Sequence, residues 1–178
     1  RMVALAASDL LLADLAVAPE LVVRAEPGRR APLWLGFAAT ASAWDGLLGG
    51  ASIDIGMPRG GYLVAIEIGG AGLAGGRVDL LSGVVRADVG LPLGAFELRA
   101  GLTLAPIFVQ TGVTDFTVLA GANASARVRI QMTAATRAVL AIGADVFATR
   151  TQYVLGAMQL MTTPRIAPWL TAGMEIAL

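Results

Sequence analysis

The chain contains no cysteine, no histidine and no lysine. Without cysteine there is no disulfide and no thiolate metal site. Without histidine the usual general base is missing, so a Ser–His–Asp or Asp–His arrangement is impossible and any metal would have to rest on carboxylates alone. The sequence therefore points away from an enzyme and away from bound metals or cofactors. The basic charge consists of 13 arginines, matched by 13 acids to a net charge of zero. This argues against nucleic acid as a partner, since phosphate binding needs a basic surplus. Arginine in place of lysine is first of all what a compositional bias toward Arg and Ala gives; a planar fork suited to buried ion pairs is a second, compatible reading.

Long apolar runs are also missing. The chain is 56% hydrophobic with a mean hydropathy of +0.72, high for a soluble domain, yet no stretch of about 20 apolar residues could cross a membrane as a helix. The uncharged stretches Ala100 to Thr114 and Thr151 to Pro164 both carry Pro, Thr, Gln and Gly. The 22 glycines are spread throughout and weaken helices everywhere. The apolar content must be delivered in short extended pieces, and in a bilayer those pieces must close into a barrel, because lipid cannot satisfy an open sheet edge.

What the chain does have is alternation. Leu170, Ala172, Met174, Ile176 and Leu178 share one parity and Glu175 takes the other, the period of a strand with one apolar and one polar wall. Reading backward, strands are expected at 165–178, 136–150, 116–133, 94–108, 77–91, 61–72, 49–57, 33–44 and, less regularly, 10–25, with residues 1–8 a candidate tenth. In 116–133, Val118, Ala120, Ala122, Ala124, Ala126, Val128 and Ile130 oppose Gly121, Asn123, Ser125, Arg127, Arg129 and Gln131, which only a period of two separates. Even strand numbers favour ten, with eight as the alternative. Tight connections are expected at Met57-Pro58-Arg59-Gly60-Gly61 and Leu91-Pro92-Leu93-Gly94, and 151–164 is long enough for a loop or hairpin beyond the membrane. The expected architecture is all-β, one antiparallel up-and-down transmembrane barrel domain over 1–178. The chain opens on Arg1 without a signal peptide, so it reads as mature or truncated at its N-terminal side, and a preceding domain is an open alternative.

If the apolar parity faces lipid, the inward set is Glu20, Arg24, Asp54, Glu67, Arg86, Asp88, Glu97, Arg99, Arg127, Arg129, Arg137, Asp145 and Glu175. A small barrel is filled by side chains, and buried charges persist there only when paired and hydrogen-bonded. A lumen ion-pair network is expected among Glu67, Arg86, Asp88, Glu97, Arg99, Arg127, Arg129, Arg137, Asp145 and Glu175. The competing reading is a conduit lined by Arg99, Arg127 and Arg129. Trp34, Trp44, Tyr62, Phe96, Phe108, Phe116, Phe147, Tyr153 and Trp169 mostly lie near strand ends, where interfacial aromatics are expected, with Trp34, Trp44, Tyr62, Tyr153 and Trp169 as the leading candidates.

The alternating strands and the C-terminal run of Leu170, Ala172, Met174, Ile176 and Leu178 resemble the small bacterial outer-membrane β-barrels, the OmpA/OmpX-like group. That superfamily commonly ends on Phe, where this chain ends on Leu178. The resemblance implies a bacterial outer-membrane location, a lipid bilayer as solvent and insertion by the barrel assembly machinery, with Leu170, Met174, Ile176 and Leu178 as the insertion signal. It carries no subfamily motif and so no functional residues. The leading expectation is a structural, anchoring or assembly component whose lumen is plugged by Arg–carboxylate pairs, with an envelope protein or a lost N-terminal domain as partner. The alternatives are a narrow channel or ligand-binding barrel for small solutes, and a soluble lipid-binding barrel with the opposite sidedness.

Overall fold

The computed structural model describes residues 33–44, 46–73, 79–110, 114–155 and 158–178. Ala31–Leu178 is one compact unit. Its described residues form ten strands: β1 (Trp34–Ala43), β2 (Leu47–Arg59), β3 (Tyr62–Leu73), β4 (Asp79–Leu93), β5 (Phe96–Gln110), β6 (Thr114–Gln131), β7 (Thr136–Phe147), β8 (Gln152–Leu155), β9 (Met158–Thr162) and β10 (Ile166–Ala177). Eight of them form a closed antiparallel barrel in the order β1-β10-β7-β6-β5-β4-β3-β2, and β8 and β9 form a separate two-stranded hairpin.

The barrel thus takes the eight-strand alternative, and the expectation of ten is corrected. The reason is closure: β1 pairs with β10 from Trp34↔Ala177 to Ser42↔Trp169 while its other edge pairs with β2, leaving no edge for another strand. The segments 10–25 and 1–8, with Glu20 and Arg24, lie outside the described residues. The stretch 151–164 becomes the β8–β9 hairpin. Its neck is held by Thr163 N donating to Thr151 O at 2.9 Å and Thr151 N donating to Thr163 Oγ1 at 2.8 Å.

Turn chemistry sets the register at one end. β2 continues through Pro58 and Arg59, so the turn shrinks to Gly60–Gly61, with φ of 54° and 92°. Positive φ at both central positions is what a two-residue hairpin turn needs to match strand twist, and glycine supplies it without steric cost. β4 likewise runs on to Leu93, moving its turn to Gly94–Ala95. At 132–135 the Thr133 hydroxyl shapes the turn, accepting from the backbone N–H of Thr136 at 3.0 Å and of Ala135 at 3.2 Å. Both the start of β1 and the end of β10 lie at this turn end; the β8–β9 hairpin is at the other.

The alternation gives the wall two chemistries. Ile53, Ile66, Val89, Leu98, Leu102, Leu140, Ile142 and Met174 point outward and are exposed, Leu102 to 70%, whereas the ladder Asp54↔Glu67↔Arg86 runs inside with all three side chains buried. Such a surface is stable against hydrocarbon and not against water. The barrel strands are 10 to 18 residues long, at least the 9–11 or so that a tilted strand needs to cross a bilayer. Leu102→Arg, in the middle of β5 on the outer face, is expected to destabilise the barrel in vesicles by about 2–4 kcal/mol, read by denaturant titration. An unchanged midpoint would show that this face does not meet hydrocarbon.

Candidate functional site: an ionic lumen

Inward residues on seven of the eight barrel strands meet in the turn-side half of the lumen. Arg86 on β4 is the hub nearest the middle. Its Nε and Nη2 donate to Asp145 Oδ1 and Oδ2 on β7 at 2.9 and 2.7 Å, a fork matched to a carboxylate. Its Nη1 donates to Glu67 Oε1 on β3 at 2.8 Å. The second oxygen of Glu67 accepts from Arg127 Nη2 on β6 at 2.8 Å, and Arg127 Nη1 donates to Asp54 Oδ2 on β2 at 3.3 Å. Asp54 also receives both terminal nitrogens of Arg99 on β5, at 2.8 and 3.0 Å. Arg99 Nε donates to Glu97, and Glu97 accepts in turn from Arg129. Arg129 Nε and Nη2 then donate to Glu175 on β10 at 3.0 and 3.3 Å, and Glu175 accepts from Arg137 on β7.

The result is one unbroken chain of alternating sign: Asp145, Arg86, Glu67, Arg127, Asp54, Arg99, Glu97, Arg129, Glu175, Arg137. A further contact of 3.9 Å between Arg99 and Glu175 ties its middle to its end. Arg99 is 2% exposed and Glu67 and Glu97 are 1% exposed. Isolated charges so buried would cost several kcal/mol each; alternation gives four of the five guanidiniums, all but the terminal Arg137, an acid on either side and recovers much of that penalty.

Tryptophans complete it. Arg137 stacks over Trp34 of β1 at 3.5 Å, and Arg86 over Trp169 of β10 at 4.3 Å, a favourable placement for a desolvated cation. Trp169 fits because position 143 opposite it is glycine: a Cβ there would lie 2.5 Å from Trp169 Cζ2.

The sequence-derived site residues divide as follows. Glu67, Arg86, Glu97, Arg99, Arg127, Arg129, Arg137, Asp145 and Glu175 come together in this chain. Asp88 does not: among the described residues it makes no ion pair and accepts a hydrogen bond from Asn123 Nδ2 at 2.9 Å. Asp54, which shares the inward parity, takes the place expected of Asp88, because register sets it across the lumen from Arg99 and Arg127. The aromatic expectation needs more correction. Tyr62 is on the outer face and exposed. Trp34 and Trp169 have inward parity and sit under arginines, Trp44 packs edge-on to Phe147 at 6.1 Å, and Tyr153 is buried in the hairpin's apolar contact. Of the expected set, Tyr62, Phe96, Phe108 and Phe116 do face outward, joined by Phe37, whereas Phe147 is buried. Trp169 shares Glu175's parity, a signal already present in the sequence. Leu170, Met174, Ile176 and Leu178 are exposed on the outer face.

Two lumen cavities measure about 20 and 30 Å3, each room for one or two waters. Among the described residues no group of three or more acidic, histidine or cysteine donors is disposed to hold a metal.

No protein-family model matches the chain, and no curated protein is found as a relative. Solved structures do match. The chain is similar to Neisserial surface protein A, with a TM-score of 0.57 and 12% identity over 82% of this chain and 96% of that one. It is similar to Ail, the attachment invasion locus protein of Yersinia pestis, with a TM-score of 0.53 and 9% identity over 84% and 100%. A major outer membrane protein from Thermus thermophilus gives a TM-score of 0.59 and 12% identity over 82% and 99%. The fold is that of the small outer-membrane β-barrels.

Asp145→Ala strands Arg86 without its two-pronged partner and is expected to cost about 3–5 kcal/mol, with Arg86→Met in the same chain restoring most of it. Asp88→Asn, outside the alternating chain, is expected to cost under about 1 kcal/mol, the scale of one ordinary hydrogen bond. Unfolding in vesicles followed by tryptophan fluorescence measures all three, and equal losses at Asp88 and Asp145 would contradict the assignment.

Proposed function

We propose that the chain is a barrel of the bacterial outer membrane that serves as a closed structural or anchoring component, non-catalytic and non-conducting. The single observation that supports this reading is the alternating chain of carboxylates and guanidiniums crossing the lumen. A conduit for anions would need arginines free to exchange partners with a solute. Here Arg86, Arg99 and Arg127 each already hold two carboxylates, and the carboxylates cancel the field that would attract an anion. The ion pairs act as a plug that cross-braces the wall, with burial of the outer face in lipid as the anchor.

The exposed run Leu170, Met174, Ile176 and Leu178 is the proposed point of recognition by the barrel assembly machinery, and an envelope protein is the proposed partner of the anchored barrel. The sequence holds no histidine, which agrees with a role that involves no general base.

Purified barrel reconstituted in planar bilayers is expected to be electrically silent at neutral pH and moderate salt. Discrete openings with anion preference would replace this reading with that of a narrow pore.

A further inference from the structure

The lumen is not filled with charge from end to end. Toward the hairpin, the inward positions turn apolar: Leu48, Leu80, Ile107, Val109, Leu119 and Phe147 are 0 to 7% exposed and pack as one cluster. In a small barrel with a polar interior, this end would otherwise open to water. What covers it is the β8–β9 hairpin, whose Tyr153 and Met161, at 4% and 6% exposure, belong to the same cluster. The hairpin pairs with no barrel strand and is joined to β7 and β10 through the Thr151–Thr163 neck. It is therefore held over the opening by apolar contact and by its two connections, and not by the ladder that holds the wall. Between the apolar cluster and the ionic chain lies the cavity of about 30 Å3, lined by Ser42, Ser82, Arg86 and Asp145 on one side and by Trp44 and Phe147 on the other.

We propose that the lumen is closed by two seals in series, the ionic chain on the turn side and an apolar seal on the hairpin side whose removable part is the β8–β9 hairpin acting as a lid. The inference rests on the closed-barrel reading and deepens it. The seals obey opposite physics. Desolvated ion pairs resist anything that cannot replace their hydrogen bonds, whereas an apolar constriction stops water and ions by dewetting. A solute that could lift the lid would still meet Arg86 already occupied by Asp145 and Glu67. Loss of the charged layer would leave the apolar layer dry. Each seal alone is enough to keep the barrel shut.

The test compares four proteins in liposome-swelling and planar-bilayer assays: the native chain, a lid deletion replacing 152–162 by a short Gly-Ser turn, an ionic variant with Asp54→Ser, Glu67→Ser, Arg86→Ser, Arg99→Ser, Arg127→Ser and Asp145→Ser, and their combination. The ionic variant removes three acids and three bases, and leaves Arg129 paired with Glu97 and Glu175. Folding of each is checked by the heat-dependent gel shift of a closed barrel. Each single alteration is expected to change permeability less than about twofold, and the combination to raise it at least about tenfold. Opening by lid deletion alone, or a folded combination that stays shut, overturns the proposal. Failure of the native chain to insert into bilayers would instead overturn the membrane reading beneath it. Should the combination not fold, Met161→Cys in the cysteine-free native chain gives a second readout. Its reaction with a membrane-impermeant maleimide is expected to be at least about tenfold slower than that of Gln152→Cys on the exposed face of the hairpin, and equal rates overturn the lid.

Discussion

A ring of eight strands is too narrow for a water-filled channel and too wide to be left empty, and most of this structure follows from that constraint. Side chains must fill the bore, and because the outer face is committed to hydrocarbon, the polar half of the alternation is left to fill it. Polar side chains in a dry bore must satisfy one another. Arginine does this best among cations, since its planar fork binds two oxygens on each of two edges and so continues a chain of carboxylates. The absence of lysine matches this demand, for an ammonium offers no fork. Glycine at 143 and the tryptophan packed against it belong to the same solution, in which volume missing from one strand is supplied by another.

Sidedness was legible because a period of two is an unambiguous code. The strand 116–133 shows Ala120, Ala122, Ala124 and Ala126 on one parity and Asn123, Ser125 and Arg127 on the other, and the structure divides them the same way. Trp34 and Trp169 were legible by the same rule, yet strand-end position alone suggests the interface for both. Closure at eight strands was not legible, since alternation within a strand says nothing about which two edges meet. Nor was the choice of partners. Asp54 and Asp88 look equivalent in sequence, and only register decides that Asp54 faces two arginines while Asp88 faces Asn123.

The apolar end of the lumen escaped the parity argument for another reason. Leu48, Leu80, Ile107 and Phe147 occupy inward positions near the ends of long strands, where both parities carry apolar residues and the code loses contrast. There the alternation no longer separates lipid from lumen, because the lumen there is greasy as well. The lost contrast marks the change from an ionic to an apolar interior.

Most links in the ionic chain join strands that are not neighbours: Arg86 on β4 reaches Asp145 on β7, and Arg99 on β5 reaches Asp54 on β2. Such links cannot form while the sheet is flat, and Glu175, which receives Arg129 and Arg137, rides on the strand that makes the seam with β1. An open sheet would leave Arg86 without Asp145 and Arg99 without Asp54. The ionic chain is thus complete only in the finished cylinder.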